Sequence, residues 1–386
     1  MQLTKRRLRP AAAPGDEEPV TSLELFFDLV FVFAITQLTD LLLTSHGLSG
    51  YGHAALVLAL SWWMYDGYAW LTNNVGPTSV STRLPILVAM AGFLVMAIST
   101  PDAFGSGRWL FAIAYLLVTV VHALSFGRSA LGRSARAIVG ILPVNLGAAS
   151  LLLVAALLPP HMRWVAWLGA VLVLVLSIAT RRESGFALRP DHFAERHQLL
   201  IIIALGETVV AIGVAGERRL THPSVLLTVL LSLALIAGLW WVYFGLDSDR
   251  GLQAMDEAGE RATTLAIWGY SVSHLLHIAG LVLLAAALHV AVHAPGHGLG
   301  TKMAVTMASG TALYLLGEVL FERRLRLGSG LRLTVAAACC AGPALVGLAA
   351  PAVVELTLLT MLVAGLVGVR EAFGSGADEQ TGMSVA

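Results

Sequence analysis

The chain predicts an all-α polytopic membrane protein: about twelve transmembrane helices as two six-helix repeats in the same orientation, both termini cytoplasmic. Three observations carry this. Of 386 residues, 57% are apolar and only 12% charged, with mean hydropathy +0.79, whereas soluble domains carry about 25% charged residues. The string Trp240-Trp241-Val242-Tyr243-Phe244-Gly245 repeats the pattern of Trp62-Trp63-Met64-Tyr65-Asp66-Gly67 at an offset of 178 residues, which Arg83 and Arg261 share. Finally, the 24 Lys and Arg residues divide unevenly between the loops, and that bias sets orientation.

The apolar runs reach about 20 residues, enough to cross a hydrocarbon core of roughly 30 Å as helix. Strand alternation is absent, which argues against a barrel. Twelve spans follow in order, at 24–43, 54–73, 84–101, 108–127, 137–158, 164–180, 194–216, 223–245, 262–290, 302–321, 332–349 and 352–370. The ninth is long enough to tilt or protrude. Only Ala349, Ala350 and Pro351 separate the last two, which leaves a re-entrant hairpin open there. An inside N-terminus puts all the basic residues on the cytoplasmic side except Arg108, Arg163, Arg218, Arg219 and Lys302.

The domains expected are a disordered cytoplasmic tail at 1–22, a first six-helix repeat at 23–180, and a cytoplasmic linker at 181–193. A second repeat at 194–370 and a disordered cytoplasmic tail at 371–386 complete the chain. Residues 1–22 are basic, then Pro- and acid-containing, without the apolar core and cleavage site of a signal peptide. An even number of spans per unit gives both copies one orientation, related by an axis along the membrane normal.

Acids within the apolar runs direct attention to spans one and seven. A carboxylate at the bilayer centre costs about 2.5–3.5 kcal/mol on insertion scales, so it faces protein or water and marks a pathway. On span one, Glu24, Asp28 and Thr39 fall within about 60° of one another, with Thr36 and Asp40 on the same side. For Glu24 the competing reading is a helix-end acid favoured by the N-terminal dipole. Span seven opens with Glu195, Arg196 and His197, and Glu207 lies about 18 Å deeper. Gly206 and Gly213 align with Glu195 on a face that permits close helix contact.

On span nine, Tyr270, His274 and His277 share a face. Without a third ligand they suit hydrogen bonding or a proton relay better than a metal. Trp62, Trp63, Tyr65, Trp240, Trp241 and Tyr243 lie late in spans two and eight and read as interfacial anchors. Asp66 and Glu318 are further acids with no deducible partner. Cys339 and Cys340 are adjacent, so they read as small buried residues and not as a disulfide or metal pair.

No P-loop, dinucleotide fingerprint, nucleophile elbow or histidine box is present, and no soluble catalytic domain. The strings Glu24-Leu25-Phe26-Phe27-Asp28-Leu29-Val30-Phe31-Val32-Phe33-Ala34, Glu195-Arg196-His197, Ala204-Leu205-Gly206-Glu207 and Tyr270-Ser271-Val272-Ser273-His274 closely resemble the bacterial low temperature requirement A family. The resemblance covers roughly residues 20 to 320. It implies a multi-pass inner-membrane protein of bacteria, a family named for growth in the cold and without an established substrate. Span one is also similar to the first-helix Phe-Ser-Asp signature of lysosomal-type potassium channels, which occur as six-span repeats whose first helices line the pore. Phe27 stands where that signature has Ser, and its preceding Arg is absent.

The functional expectation is movement of a cation, proton or small solute through a polar pathway between helices one and seven. Glu24, Asp28, Glu195, Arg196, Glu207, His274 and His277 are the pathway residues. A non-transporting structural or stress-adaptation protein and an ion channel are the alternatives. No cofactor, metal or nucleic acid is expected. Membrane lipid is the surrounding partner, and a homo-oligomer is compatible with the sequence.

Overall fold

The structure, a computed structural model, describes residues 20–45, 47–129, 133–180, 188–217, 219–245 and 247–382. These residues form helices and no strands. The first half comprises α1 (Ser22–Thr44), α2 (Gly47–Asn74), α3 (Val80–Ser99), α4 (Arg108–Ser129), α5 (Arg133–Leu157) and α6 (Pro160–Thr180). The second half begins with α7 (Pro190–Gly216), α8 (Pro223–Trp240) and the short α9 (Ser248–Asp256). It continues with α10 (Ala262–Leu265), α11 (Val272–His293), α12 (Gly300–Leu325), α13 (Leu331–Cys339), α14 (Ala341–Gly347) and α15 (Ala352–Gly382).

Local chemistry sets many of these boundaries. Thr21 and Glu24 form a capping box at the start of α1, each satisfying a backbone N–H that the first turn leaves free. Pro190, Pro223 and Pro160 open their helices where a missing N–H costs nothing. Arg326 closes α12 in the left-handed conformation at φ 61°.

Among the described residues, ten helical stretches are long and apolar enough to cross a membrane. The two expected spans outside that set are α2, whose 28 residues are diluted by Trp, Tyr and His, and Leu331–Gly347, a shorter apolar stretch. The latter is α13 and α14, broken at Cys340.

Helix neighbours correspond between the halves. In the first, α1 packs on α2 and α3, α3 on α4, α4 on α5, α5 on α6, and α2 on α6. In the second, α7 packs on α8 and α11, α11 on α12, α12 on α13 and α14, both of these on α15, and α8 on α15. The two halves meet where α1 and α2 lie against α7 and α11. The α11–α12 crossing is the tightest contact in the second half. A Cβ at Gly280 would lie 2.7 Å from the Gly310 carbonyl oxygen, and one at Gly310 would lie 2.9 Å from that of Gly280.

Two stretches wind as π-helix, Trp241–Gly245 at the end of α8 and Ala266–Ser271 between α10 and α11. Such turns are rare and concentrate at functional sites. Two expected boundaries differ. The linker expected at 181–193 ends sooner, because Pro190 already starts α7; residues 181–187 lie outside the described residues. The tail expected to be disordered from 371 instead prolongs α15 to Gly382, there being no proline to stop it. The expected N-terminal tail falls almost wholly outside the described residues.

Candidate functional site

Arg196 sits in the second turn of α7, pointed at α1 across the junction of the halves, and is 1% exposed. Its Nη2 donates to Asp28 Oδ1 at 3.0 Å, Nη1 lies 3.5 Å from Glu24 Oε1, and Nη1 donates to Thr72 Oγ1. The guanidinium also lies 5.6 Å from the ring centroids of both Phe27 and Tyr65. Asp28 Oδ1 accepts a second bond from Tyr65 at 3.0 Å. Glu24 closes the group, its Oε2 accepting from Thr21 and facing His192 Nε2 at 3.4 Å. Both carboxylates and the guanidinium are buried, so their mutual attraction offsets a desolvation cost of several kcal/mol per ion.

The next residues along α2 and α7 turn the other way, as the 100° step of a helix requires. Asp66 and His197 therefore meet each other, His197 Nε2 lying 3.4 Å from Asp66 Oδ1. Asp66 Oδ1 accepts from Ser271 at 2.7 Å, and Trp62 Nε1 donates to the Ser271 carbonyl. The rings of His197 and His274 are 5.1 Å apart, and those of His274 and His277 5.3 Å.

His274 is bonded at both ring nitrogens: Nδ1 lies 2.9 Å from the Tyr270 carbonyl, to which it donates, and Nε2 lies 2.9 Å from the Tyr243 hydroxyl. His277 Nε2 lies 3.0 Å from Glu318 Oε2. Gly317 makes this approach feasible, since a Cβ there would lie 2.9 Å from His277 Cδ2. Asp247 lies beside Glu318. Arg370 then joins Asp247 to Glu322, donating to Glu322 Oε1 at 2.7 Å.

Two groups of ionisable side chains thus lie at the junction, Glu24–Asp28–Arg196–Tyr65 on one side and Asp66, His197, His274, His277, Glu318 and Glu322 on the other, with the Trp62 ring between Tyr65 and His197. Several of their polar atoms have no protein partner: Asp28 Oδ2, Arg196 Nε, His277 Nδ1 and Glu318 Oε1. Both π-helical turns border the second group, one presenting Tyr243 and the other Tyr270 and Ser271. Among the described residues, no three His, Cys, Asp or Glu side chains are arranged to hold a metal.

Of the seven residues singled out from sequence, Glu24, Asp28 and Arg196 converge, and His274 and His277 lie in the second group. Glu195 and Glu207 lie apart. Glu195 is half-buried at the rim, where it accepts from the Val20 N–H at 3.3 Å. Glu207 is half-buried and accepts from Thr36 Oγ1 at 2.6 Å. Thr36 lies two turns beyond Asp28, about 12 Å along the helix. Asp28 and Glu207 therefore do not share one pocket: both face the α1–α7 seam, Asp28 at Arg196 and Glu207 at Thr36, at different depths.

The anchor reading needs correction. Tyr65 and Tyr243 are fully buried and Trp62 is 4% exposed; they build the network rather than meet the headgroups. Trp63 is half-buried and donates to Asn145 Oδ1. Only Trp240 and Trp241 are exposed, at 42% and 47%. The π-helical turn explains this split. It rotates the second Trp pair outward while Tyr243 keeps the inward place of Tyr65. Sequence reasoning did not single out His192 or Asp247, and it noted His197, Asp66 and Glu318 without assigning them partners. The shared tyrosine of the repeated string was the one signal pointing to their neighbourhood.

The fold and this buried junction define a polytopic α-helical membrane protein with ionisable side chains buried where its two halves meet. The family model of the bacterial low temperature requirement A protein (LtrA) matches residues 19–367, and the chain belongs to that family. It is also similar to an uncharacterized protein of Rhizobium meliloti, 29% identical over 326 residues, covering 80% of this chain and 78% of that protein.

Proposed function

We propose that the chain is a transport protein of the bacterial inner membrane that moves protons, alone or in exchange for a small cation or solute, along the ionisable junction. The observation carrying this reading is the set of buried acids, imidazoles and tyrosines with polar atoms left unpartnered by protein. Each buried polar atom without a partner costs about 1–3 kcal/mol, which a scaffold gains nothing by retaining. A path for protons needs such groups, because each must accept and release a bond in turn. His274, bonded at both ring nitrogens, suits a relay. The matching helix neighbours and the shared Tyr65 and Tyr243 support a duplication, with both termini on the cytoplasmic side.

The test is proton flux into liposomes carrying the purified full chain, followed with an entrapped pH-sensitive dye. Flux above that of empty liposomes, lost in Asp28→Asn and Glu318→Gln variants that still fold, is the expected result. Flux equal to empty liposomes under both proton and cation gradients sinks the reading. A second reading, a non-transporting structural or stress-adaptation protein, draws on Arg196, which clamps α7 to α1 and α2 as a structural pin does.

A further inference from the structure

Away from the junction, Glu355 in the first turn of α15 is fully buried. Neither of its carboxylate oxygens has a hydrogen-bond partner. Among the described residues no side chain pairs with Glu355; the titratable neighbours of α15 include His297, whose carbonyl accepts from the Ala352 N–H, and Arg323 and Arg324 at the far end of α12. α8 and α14 contain no charged residue, and α13 contains only Arg332, in its first turn. On α12, Lys302 Nζ donates to the carbonyls of Leu42 and Ser45. The acids Glu318 and Glu322 lie about 21 Å or more along that helix from Ala304, which faces the Glu355 region across Gly347.

The carboxylate is aimed at the end of a broken helix. A Cβ at Gly347, the last residue of α14, would collide with Glu355 Oε2, so only glycine admits the carboxylate. Beyond Gly347 the chain turns through Leu348, Ala349 and Ala350. Pro351 has no N–H for the Gly347 carbonyl, and the Ala352 N–H goes to the His297 carbonyl at 2.9 Å. The Ala344 and Val346 carbonyls accept from Leu348, Ala349 and Ala350, which leaves those of Leu345 and Gly347 without a backbone donor among the described residues, at the negative pole of the helix dipole where Gly347 packs on the buried acid. Negative charge facing negative charge is unfavourable unless a cation lies between them. Interrupted helix ends hold small cations in transporters for this reason.

We propose that Glu355 and the C-terminal end of α14 form a binding site for a small monovalent cation, a proton or Na⁺. The site is separate from the junction and stands whether or not the junction conducts.

The experiment labels the purified full chain with dicyclohexylcarbodiimide, an apolar reagent, and maps the adduct by peptide mass spectrometry. The carboxylic O–H proton passes to a carbodiimide nitrogen while the carboxylate oxygen adds to the central carbon, so only the protonated acid reacts. An adduct at Glu355 that grows as the buffer is acidified and ignores NaCl identifies a proton site. An adduct suppressed by NaCl but not by choline chloride identifies a Na⁺ site. No adduct at Glu355 at any pH, or an adduct indifferent to both pH and NaCl, overturns the proposal. Gly347→Ala, which displaces the carboxylate, is expected to abolish the pH dependence. Because the wild-type chain alone decides the outcome, a misfolded variant does not obscure it.

Discussion

Replacing Arg196 by Met leaves Asp28 and Glu24, both fully buried, without their shared countercharge. Removing one partner of a buried pair costs about 3–5 kcal/mol, and the lost contacts with Phe27 and Tyr65 add about 0.5–2 kcal/mol. Arg196→Met is therefore expected to be strongly destabilised. Asp28→Asn alone keeps an acceptor for Arg196 and Tyr65 and is expected to be milder. In the double variant, Asp28→Asn with Arg196→Met, a neutral amide faces a thioether, and the penalty of an uncompensated charge on α1 at that position is gone. Stability should return relative to Arg196→Met, with a coupling at the upper end of the roughly 0.5–3 kcal/mol range for contacting residues. Thermal unfolding of the four proteins in one detergent, read as the fraction remaining monodisperse, gives the cycle. Arg196→Met as stable as wild type, or strict additivity, refutes the clamp as described. The same set separates the two functional readings: a structural pin regains function with stability, whereas a conduction path regains stability and stays silent in the flux assay.

Gly317→Ala drives a methyl group against His277 and the Ser273 carbonyl oxygen, both 2.9 Å from the new carbon. A loss of about 1–3 kcal/mol is expected from overpacking, seen as lower detergent thermostability than Gly342→Ala, where the new carbon meets open space. Trp62→Ala should lose about 3–5 kcal/mol as a buried aromatic truncation, while exposed Trp241→Ala loses far less; equal losses in the unfolding assay contradict the outward rotation of the second pair. Thr36→Val removes the hydroxyl that donates to Glu207 and should destabilise the α1–α7 seam by about 1–3 kcal/mol. Glu207→Gln in the Thr36→Val background should restore part of that loss in the same measurement.

The fold was legible because lipid imposes simple rules. Runs of about 20 apolar residues name their own spans, and Pro190 or the Thr21–Glu24 box marks a helix start without reference to the rest of the chain. Trp, Tyr and His make α2 less apolar than its neighbours, yet its apolar run and the repeated string around Trp62 still located it. Wherever the prediction needed long-range information, it fell short. No local pattern tells whether α15 stops at residue 370, and none shows that a π-helical turn has rotated Trp240 and Trp241 away from the place of Trp62.

The candidate site was legible in its members and illegible in its partnerships. Spacing put Glu24 and Asp28 on one face of α1 and placed Arg196 at the mouth of α7. That Arg196 lies against Asp28, 168 positions away in the chain, follows only from the packing of the two halves. Glu207 was drawn into the pathway because its depth is unusual for an acid. Glu207 shares the face of Arg196 on α7, within about 20°, and meets α1 at Thr36, so depth along the seam is what separates it from Asp28. The unequal sharing of charge follows from the same packing. The two acids of the first half face one arginine of the second, Arg196, whereas at His274 and His277 the second half pairs imidazoles with a tyrosine hydroxyl and a carboxyl group. If the halves arose as copies, Tyr65 and Tyr243 kept their place while their acceptors changed from Asp28 to His274. That exchange turns a fixed ion pair into a group able to take up and pass on a proton, so the second half is where His274→Gln should abolish flux without loosening the clamp at Arg196.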